Sequence, residues 1–95
     1  MNYEWDEDKN KSNKIKHGVS FEEAKFVFDD ENAISWYDDF HSDDEERFIL
    51  VGLSIKYREL TVCHCYRRED TIRIISARKA TKTEIELYWR NCNEK

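Results

Sequence analysis

The residues best suited to chemistry are cations placed at the ends of predicted elements. Lys16 and His17 close the first predicted helix. A second group lies on or just after the last two predicted strands: Arg67, Arg73, Arg78 and Lys79. Metal-free RNA cleavage needs a base for the ribose 2′-hydroxyl, cations for the pentavalent phosphorane and an acid for the leaving 5′-oxygen. Arginine suits the phosphorane because its planar fork stays charged and binds two oxygens. The groups converge if the helix packs over the sheet; otherwise they are ordinary surface cations.

Metal-binding patterns are weak. Cys63, His64 and Cys65 offer ligand atoms, but alternate residues of a strand point to opposite faces, so the three cannot reach one tetrahedral ion. The carboxylates of residues 43–46 lack the spacing and turn glycine of a known Ca²⁺ loop. We therefore expect no metal and no other cofactor. A metal-binding regulator using His41 with the two cysteines is an alternative.

Charge is unevenly divided along the chain. Residues 1–48 hold fifteen Asp and Glu against six Lys and Arg, for −9, whereas residues 49–95 hold six against ten, for +4. The net charge of −5 disfavours a general nucleic-acid binder. The basic half can still face an anionic ligand while the acidic half meets solvent or a basic partner.

Length and composition predict a single domain over residues 1–95. The three Trp, five Tyr and five Phe are enough for one core, and 95 residues are too few for two. Three cysteines do not resemble a secreted disulfide framework, and the N-terminus lacks the pattern of a secretory signal. No apolar run approaches the roughly 18 residues of a membrane-spanning helix. We therefore expect a cytoplasmic protein without membrane association.

Capping signals and residue alternation predict a short strand, two helices, four strands and a final helix. Asp6 is the predicted N-cap of the first helix and Gly18 its stop. Capping boxes at residues 20–23 and 81–84 open the other two helices. Strands are predicted at 2–5, 33–37, 47–55, 59–67 and 71–78. The predicted fold class is α+β, an antiparallel β-meander with helices packed on one face.

The order and spacing of several motifs resemble the BrnT family of toxins. The opening motif comprises Trp5, Asp6, Lys9, Asn13 and the runs 16–24 and 28–30. The middle motif comprises residues 41–43, 45–48 and Gly52. The closing motif comprises residues 73–81, Glu84 and Tyr88. Together these motifs extend over nearly the whole chain.

The resemblance implies a RelE-like fold and the toxin half of a type II toxin–antitoxin system. It implies an endoribonuclease that acts on RNA without a metal and blocks translation. It also implies a cognate ribbon-helix-helix antitoxin, BrnA-like, through which alone operator DNA is bound. The low net charge favours an RNA target presented by a larger assembly such as the ribosome. The alternative is a catalytically silent protein that keeps the toxin fold and binds only an antitoxin or a regulatory partner.

The resemblance also implies site residues at the matching positions. The expected catalytic residues are Arg78, Arg67, His17, Lys16 and Tyr88, and the expected RNA-binding residues are Arg73, Lys79 and His64. Arg78 is the expected phosphate or transition-state clamp. His17 is an acid or base near neutral pH, or equally a residue that completes the helix end. His64 and Tyr88 also fit as core residues with a satisfied polar tip. Asp43, Glu45 and Glu46 are expected to pair with Arg47 and other basic residues, or to contact the antitoxin.

Overall fold

Five strands form one sheet in the order β1-β5-β4-β3-β2. The structure, a computed structural model, describes residues 1–94. The strands are β1 (Asn2–Glu4), β2 (Ile34–Tyr37), β3 (Phe48–Leu53), β4 (Glu59–Arg67) and β5 (Thr71–Lys79). The helices are α1 (Glu7–His17), α2 (Phe21–Lys25) and α3 (Lys82–Asn93), with 3-10 helices at Phe26–Asp29 and Asp39–His41. The predicted α+β class is confirmed.

The predicted meander is confirmed, and β1 adds a parallel edge to it. Strands β2 to β5 pair antiparallel in chain order, whereas β1 pairs parallel with the first residues of β5. The sheet is therefore mixed. Because β1 covers only the start of β5, the remainder of β5 meets α1 instead.

One face of the sheet carries the apolar core. Alternate residues of neighbouring strands lie in rows across this face, such as Leu50, Val62 and Ala77. The segment around α2 supplies the opposing side chains: Val19, Phe21, Ala24 and Val27. All four have no exposed surface, so burial of this segment stabilises the helix-on-sheet packing.

Buried amides hold α1 against the sheet, because the helix offers almost no apolar surface. Its one aliphatic residue, Ile15, is 89% exposed. The Asn13 side chain donates to the carbonyls of Val19 and Ala77 at 2.8 and 2.7 Å and accepts from the Ala77 amide at 3.2 Å. The Asn10 oxygen accepts from the Phe21 amide at 2.8 Å. As predicted, Asp6 caps this helix and Gly18 ends it in the left-handed conformation, with φ of 68°.

The capping box predicted at the start of α2 is only half formed. The Ser20 hydroxyl accepts from the Glu23 amide at 3.0 Å, as expected. The Glu23 carboxylate instead binds the Ser54 hydroxyl and the Arg58 guanidinium, and these bonds tie α2 to the β3–β4 hairpin. Helix α2 gives way to a 3-10 helix after five residues.

Helix α3 begins with the predicted capping box and meets the second face of the sheet. Both bonds of the box between Thr81 and Glu84 are present. The Glu84 carboxylate also accepts from Thr61 and Arg78, whose side chains point away from the core. None of the helices within residues 1–94 has the length and apolar character that crossing a bilayer requires.

Candidate active site

The second face of the sheet holds a cleft of about 180 Å³. Two rows of paired residues contribute to its floor: Thr61 and Arg78 in one, and Ile49, Cys63 and Ser76 in the other. The residues that line it are Asp38, His41, Arg47, Ile49, Thr61, Cys63, Ile75, Ser76 and Arg78. The cleft thus lies opposite the core, where polar side chains remain accessible.

The segment that joins β2 to β3 forms one wall of the cleft. The Asp38 amide donates to the Arg47 carbonyl at 2.9 Å, which closes the loop at its base. The Ser42 hydroxyl bridges the loop, donating to the Asp38 carbonyl at 2.6 Å and accepting from the Arg47 amide at 3.0 Å. This local closure brings His41 and Arg47 to the same cleft as Arg78.

Arg78 is held by a two-pronged ion pair. Its two terminal nitrogens donate to the two oxygens of Glu84 at 2.8 and 3.0 Å. Burial raises the pKa of Glu84, but bonds from Arg78, the Thr81 amide and the Thr61 hydroxyl outweigh burial and lower the pKa to about 2. The Glu84 carboxylate is therefore ionised at neutral pH and fixes the guanidinium at the cleft wall.

Arg47 is the cation that the sequence interpretation missed. The sequence predicts for it only an ion pair with the neighbouring carboxylates. Its Nε is buried without a hydrogen-bond partner among the described residues, and its Nη2 lies 3.8 Å from Glu45. A buried donor without an acceptor costs about 1–3 kcal/mol, so the position of Arg47 in the cleft wall is maintained at a cost in stability. The signal available beforehand was its place in the middle motif.

His41 and Asp38 form a pair at the mouth of the cleft. The ring Nδ1 lies 2.9 Å from the Asp38 Oδ2. The Asp38 side chain is 8% exposed and that of His41 is 65% exposed. A buried carboxylate therefore orients an accessible imidazole. From the sequence alone, His41 belongs to the middle motif, and its one predicted chemical role is that of a metal ligand in the alternative regulator.

Lys16 and His17 lie in a groove beside the cleft. Helix α1 and β5 together line this groove, and Ile75 and Ser76 line both the groove and the cleft. Ile75 is an extra residue in the ladder, since Ser76 pairs with Cys63 and Ile74 with His64. Because the groove and the cleft share Ile75 and Ser76, Lys16 and His17 lie in a groove that adjoins the cleft lined by Arg78.

Three other predicted cations lie outside the cleft. Arg67 pairs with Glu45 at 2.8 Å and lies six residues along β4 from Thr61, about 20 Å away. Arg73 pairs with Glu4 of β1 at 2.9 Å. Lys79 is exposed at the end of β5. None of these three residues lines the cleft itself, although Arg67 shares Glu45 with Arg47 and Lys79 is next to Arg78 in the chain.

His64 and Tyr88 are both buried, each about 1% exposed. His64 lies on the core face between the rings of Phe28 and Phe48, and burial lowers the pKa of its imidazole. The Tyr88 hydroxyl donates to Asp30 at 2.6 Å, and burial with this bond raises its pKa. Their positions match the reading of both as core residues, although the His64 Nδ1 has no partner among the described residues.

Metal ligands are not grouped in the described chain. Among residues 1–94, no three or more His, Cys, Asp and Glu side chains are placed to hold a metal ion. Cys63 lines the cleft whereas His64 lies on the other face, as strand alternation predicted. Burial raises the pKa of both the Cys63 and Cys65 thiols.

Comparisons with known proteins identify the family and support the fold. The sequence model of the family described as "Ribonuclease toxin, BrnT, of type II toxin-antitoxin system" matches residues 5–84. No curated protein matches the chain. The fold is similar to the 1.1 Å crystal structure of the Brucella abortus ribonuclease toxin BrnT, with a TM-score of 0.68 and 24% identity over 86% of this chain and 99% of that one. Because the family model matches most of its length, the chain belongs to the BrnT family of ribonuclease toxins of type II toxin–antitoxin systems, a class that implies an antitoxin partner.

Proposed function

We propose that this chain is a metal-independent endoribonuclease that cuts RNA in the cleft and thereby inhibits translation. The observation that carries this proposal is the convergence of Arg78, Arg47 and His41 on one accessible cleft. Two arginines beside an imidazole provide the cations and the proton-transfer group that cleavage by a ribose 2′-hydroxyl requires. The positive charge that stabilises the phosphorane is thus supplied by side chains.

We propose a role for each predicted residue. Arg78 binds the scissile phosphate, held in position by Glu84. Lys16 and His17 contact the next part of the RNA in the adjoining groove, with His17 available as an acid or base. Arg67, Arg73 and Lys79 bind RNA beyond the cleft. Tyr88 and His64 act through the fold, because both are buried.

The partners follow from the family and the charge. We propose an antitoxin of the ribbon-helix-helix type that neutralises the toxin in the cytoplasm. The net charge of −5 disfavours direct DNA binding, so operator DNA is bound only through the antitoxin. The same charge favours RNA presented on the ribosome, since free RNA is attracted less strongly.

The direct test is cleavage of a defined RNA by purified protein in excess chelator. The parent is expected to cleave, and Arg78→Ala to lower the rate at least about 100-fold, since a charge-stabilising donor is lost. Arg90→Ala is the matched control, because Arg90 is exposed on α3 and does not line the cleft. Cleavage that persists in Arg78→Ala, or that requires added metal, would contradict the proposal.

A catalytically silent toxin fold is the second candidate. The observation that favours it is that Arg78 and Arg67 are both engaged by carboxylates, Glu84 and Glu45. A silent protein would leave RNA intact in chelator, with and without translating ribosomes, and its expression without antitoxin would not arrest growth. Cleavage that appears only with translating ribosomes supports the toxin and identifies its target.

A further inference from the structure

The pair formed by His41 and Asp38 has a geometry that the proposed function leaves unassigned. We infer that His41, oriented by Asp38, is the general base that removes the ribose 2′-hydroxyl proton. This inference rests on the proposed function and identifies the proton acceptor of the same site. It is argued from the position of the ring, the burial of its partner and the groups around it.

The hydrogen bond determines which ring nitrogen is free. A carboxylate can only accept, so the Nδ1 that lies 2.9 Å from Asp38 carries the proton and donates it. In the neutral ring the other nitrogen, Nε2, then has the lone pair that a base needs. The Asp38 side chain is itself positioned, since its other oxygen accepts from the Phe40 amide at 3.2 Å. The loop thus presents one tautomer of an accessible ring.

Among the groups that line the cleft around His41, the two arginines and the cysteine cannot serve as the base. Arg47 enters from the start of β3 and Arg78 from β5, and both guanidinium groups stay charged in the neutral range. Burial raises the pKa of the Cys63 thiol, and the nearby Asp38 carboxylate adds to the effect, so Cys63 stays protonated. Asp38 provides the opposite charge that stabilises an imidazolium once it forms.

The other two histidines fit this role less well. His64 is 1% exposed and lies on the core face, away from the cleft. His17 lines the adjoining groove, on the α1 side, opposite residues of β5 such as Ser76. His41 therefore lines the cleft from the loop between β2 and β3, whereas His17 lines the adjoining groove from the end of α1. This arrangement assigns the base to the cleft and leaves His17 available for the leaving group.

The chemical step balances without a co-reactant. His41 Nε2 takes the 2′-hydroxyl proton as the 2′-oxygen forms a bond to phosphorus. The bond from phosphorus to the 5′-oxygen breaks, and that oxygen leaves with a proton from an acid. The products are a 2′,3′-cyclic phosphate and a 5′-hydroxyl end. Arg78 and Arg47 bind the oxygens on which charge grows.

The test compares pH profiles of kcat/KM for parent, His41→Ala, Asp38→Asn and His17→Gln in chelator. The parent rate should fall on acidification, as the base becomes protonated. His41→Ala should be roughly 100- to 10,000-fold slower and lose this acid limb. Free imidazole should restore its cleavage, in proportion to the neutral imidazole present. Asp38→Asn should lower kcat strongly, because its amide nitrogen can donate to Nδ1 and so favour the tautomer without a lone pair on Nε2.

Phe40→Ala is the matched control for disturbance of the loop. Phe40 lies in the same 3-10 helix as His41, is 89% exposed and does not line the cleft, so its substitution should keep the parent profile. The inference about His41 would be overturned if the acid limb survived in His41→Ala, or if it disappeared only in His17→Gln. In either case, cleavage by the parent in chelator would still support the proposed function. A parent that fails to cleave with and without ribosomes removes both. Imidazole rescue separates a missing base from a misfolded protein.

Discussion

Asn13→Ala removes the side chain that docks α1 on the sheet. The amide of Asn13 makes three bonds to buried main chain, two with Ala77 and one with Val19, over 2.7–3.2 Å. Asn13 is 7% exposed, so water cannot readily replace these bonds. Each main-chain group left unpaired in the interior costs about 1–3 kcal/mol. Partial relaxation makes the sum smaller than three full penalties, and we expect the free energy of unfolding to fall by about 3–5 kcal/mol.

A loss of that size is large for a domain of this length. A chain of 95 residues is stable by roughly 5–14 kcal/mol, so Asn13→Ala should lower the urea midpoint strongly or prevent folding. Equilibrium unfolding in urea measures the change. Asn2→Ala is the control, since the exposed Asn2 amide bonds only to Asp70 among the described residues and should change stability by less than about 0.5 kcal/mol. A loss below about 1 kcal/mol for Asn13→Ala would refute the docking argument.

Two further substitutions test the cleft wall and the packing of β3. Glu84→Gln should lower the free energy of unfolding by about 1–3 kcal/mol at neutral pH, allowing for solvent around Arg78. The pKa of Glu84 is lowered from 4.5 to about 2, so this stability advantage of the parent is present above pH 4.5 and is lost as the pH falls toward 2. Urea titrations at several pH values measure the difference between parent and Glu84→Gln. A difference that stays constant over this pH range would contradict the prediction. Gly52→Ala should cost about 1–3 kcal/mol, since an added Cβ would lie 2.9 Å from Ala33 Cβ and from Asp30 Oδ2. An unchanged melting temperature would show that the neighbours yield freely.

Local signals in the sequence predicted most element boundaries. The caps at Asp6 and Thr81 and the stop at Gly18 depend on residues within a few positions of one another, so their spacing alone indicates them. The same reasoning was wrong in part at Glu23, whose carboxylate binds Arg58, 35 residues away. A box of two residues three positions apart cannot reveal a stronger distant partner.

The family, the meander and the cationic character of the last strands were contained in the sequence, because motif order and residue alternation are one-dimensional properties. The composition of the cleft was decided by tertiary structure. Strand register separates Arg67 from Arg78, although the two predicted catalytic arginines are only eleven positions apart. Closure of the acidic loop brings Arg47 and His41 to Arg78 instead. Register and loop closure depend on pairings between distant residues, so their result appears only when the sheet is assembled.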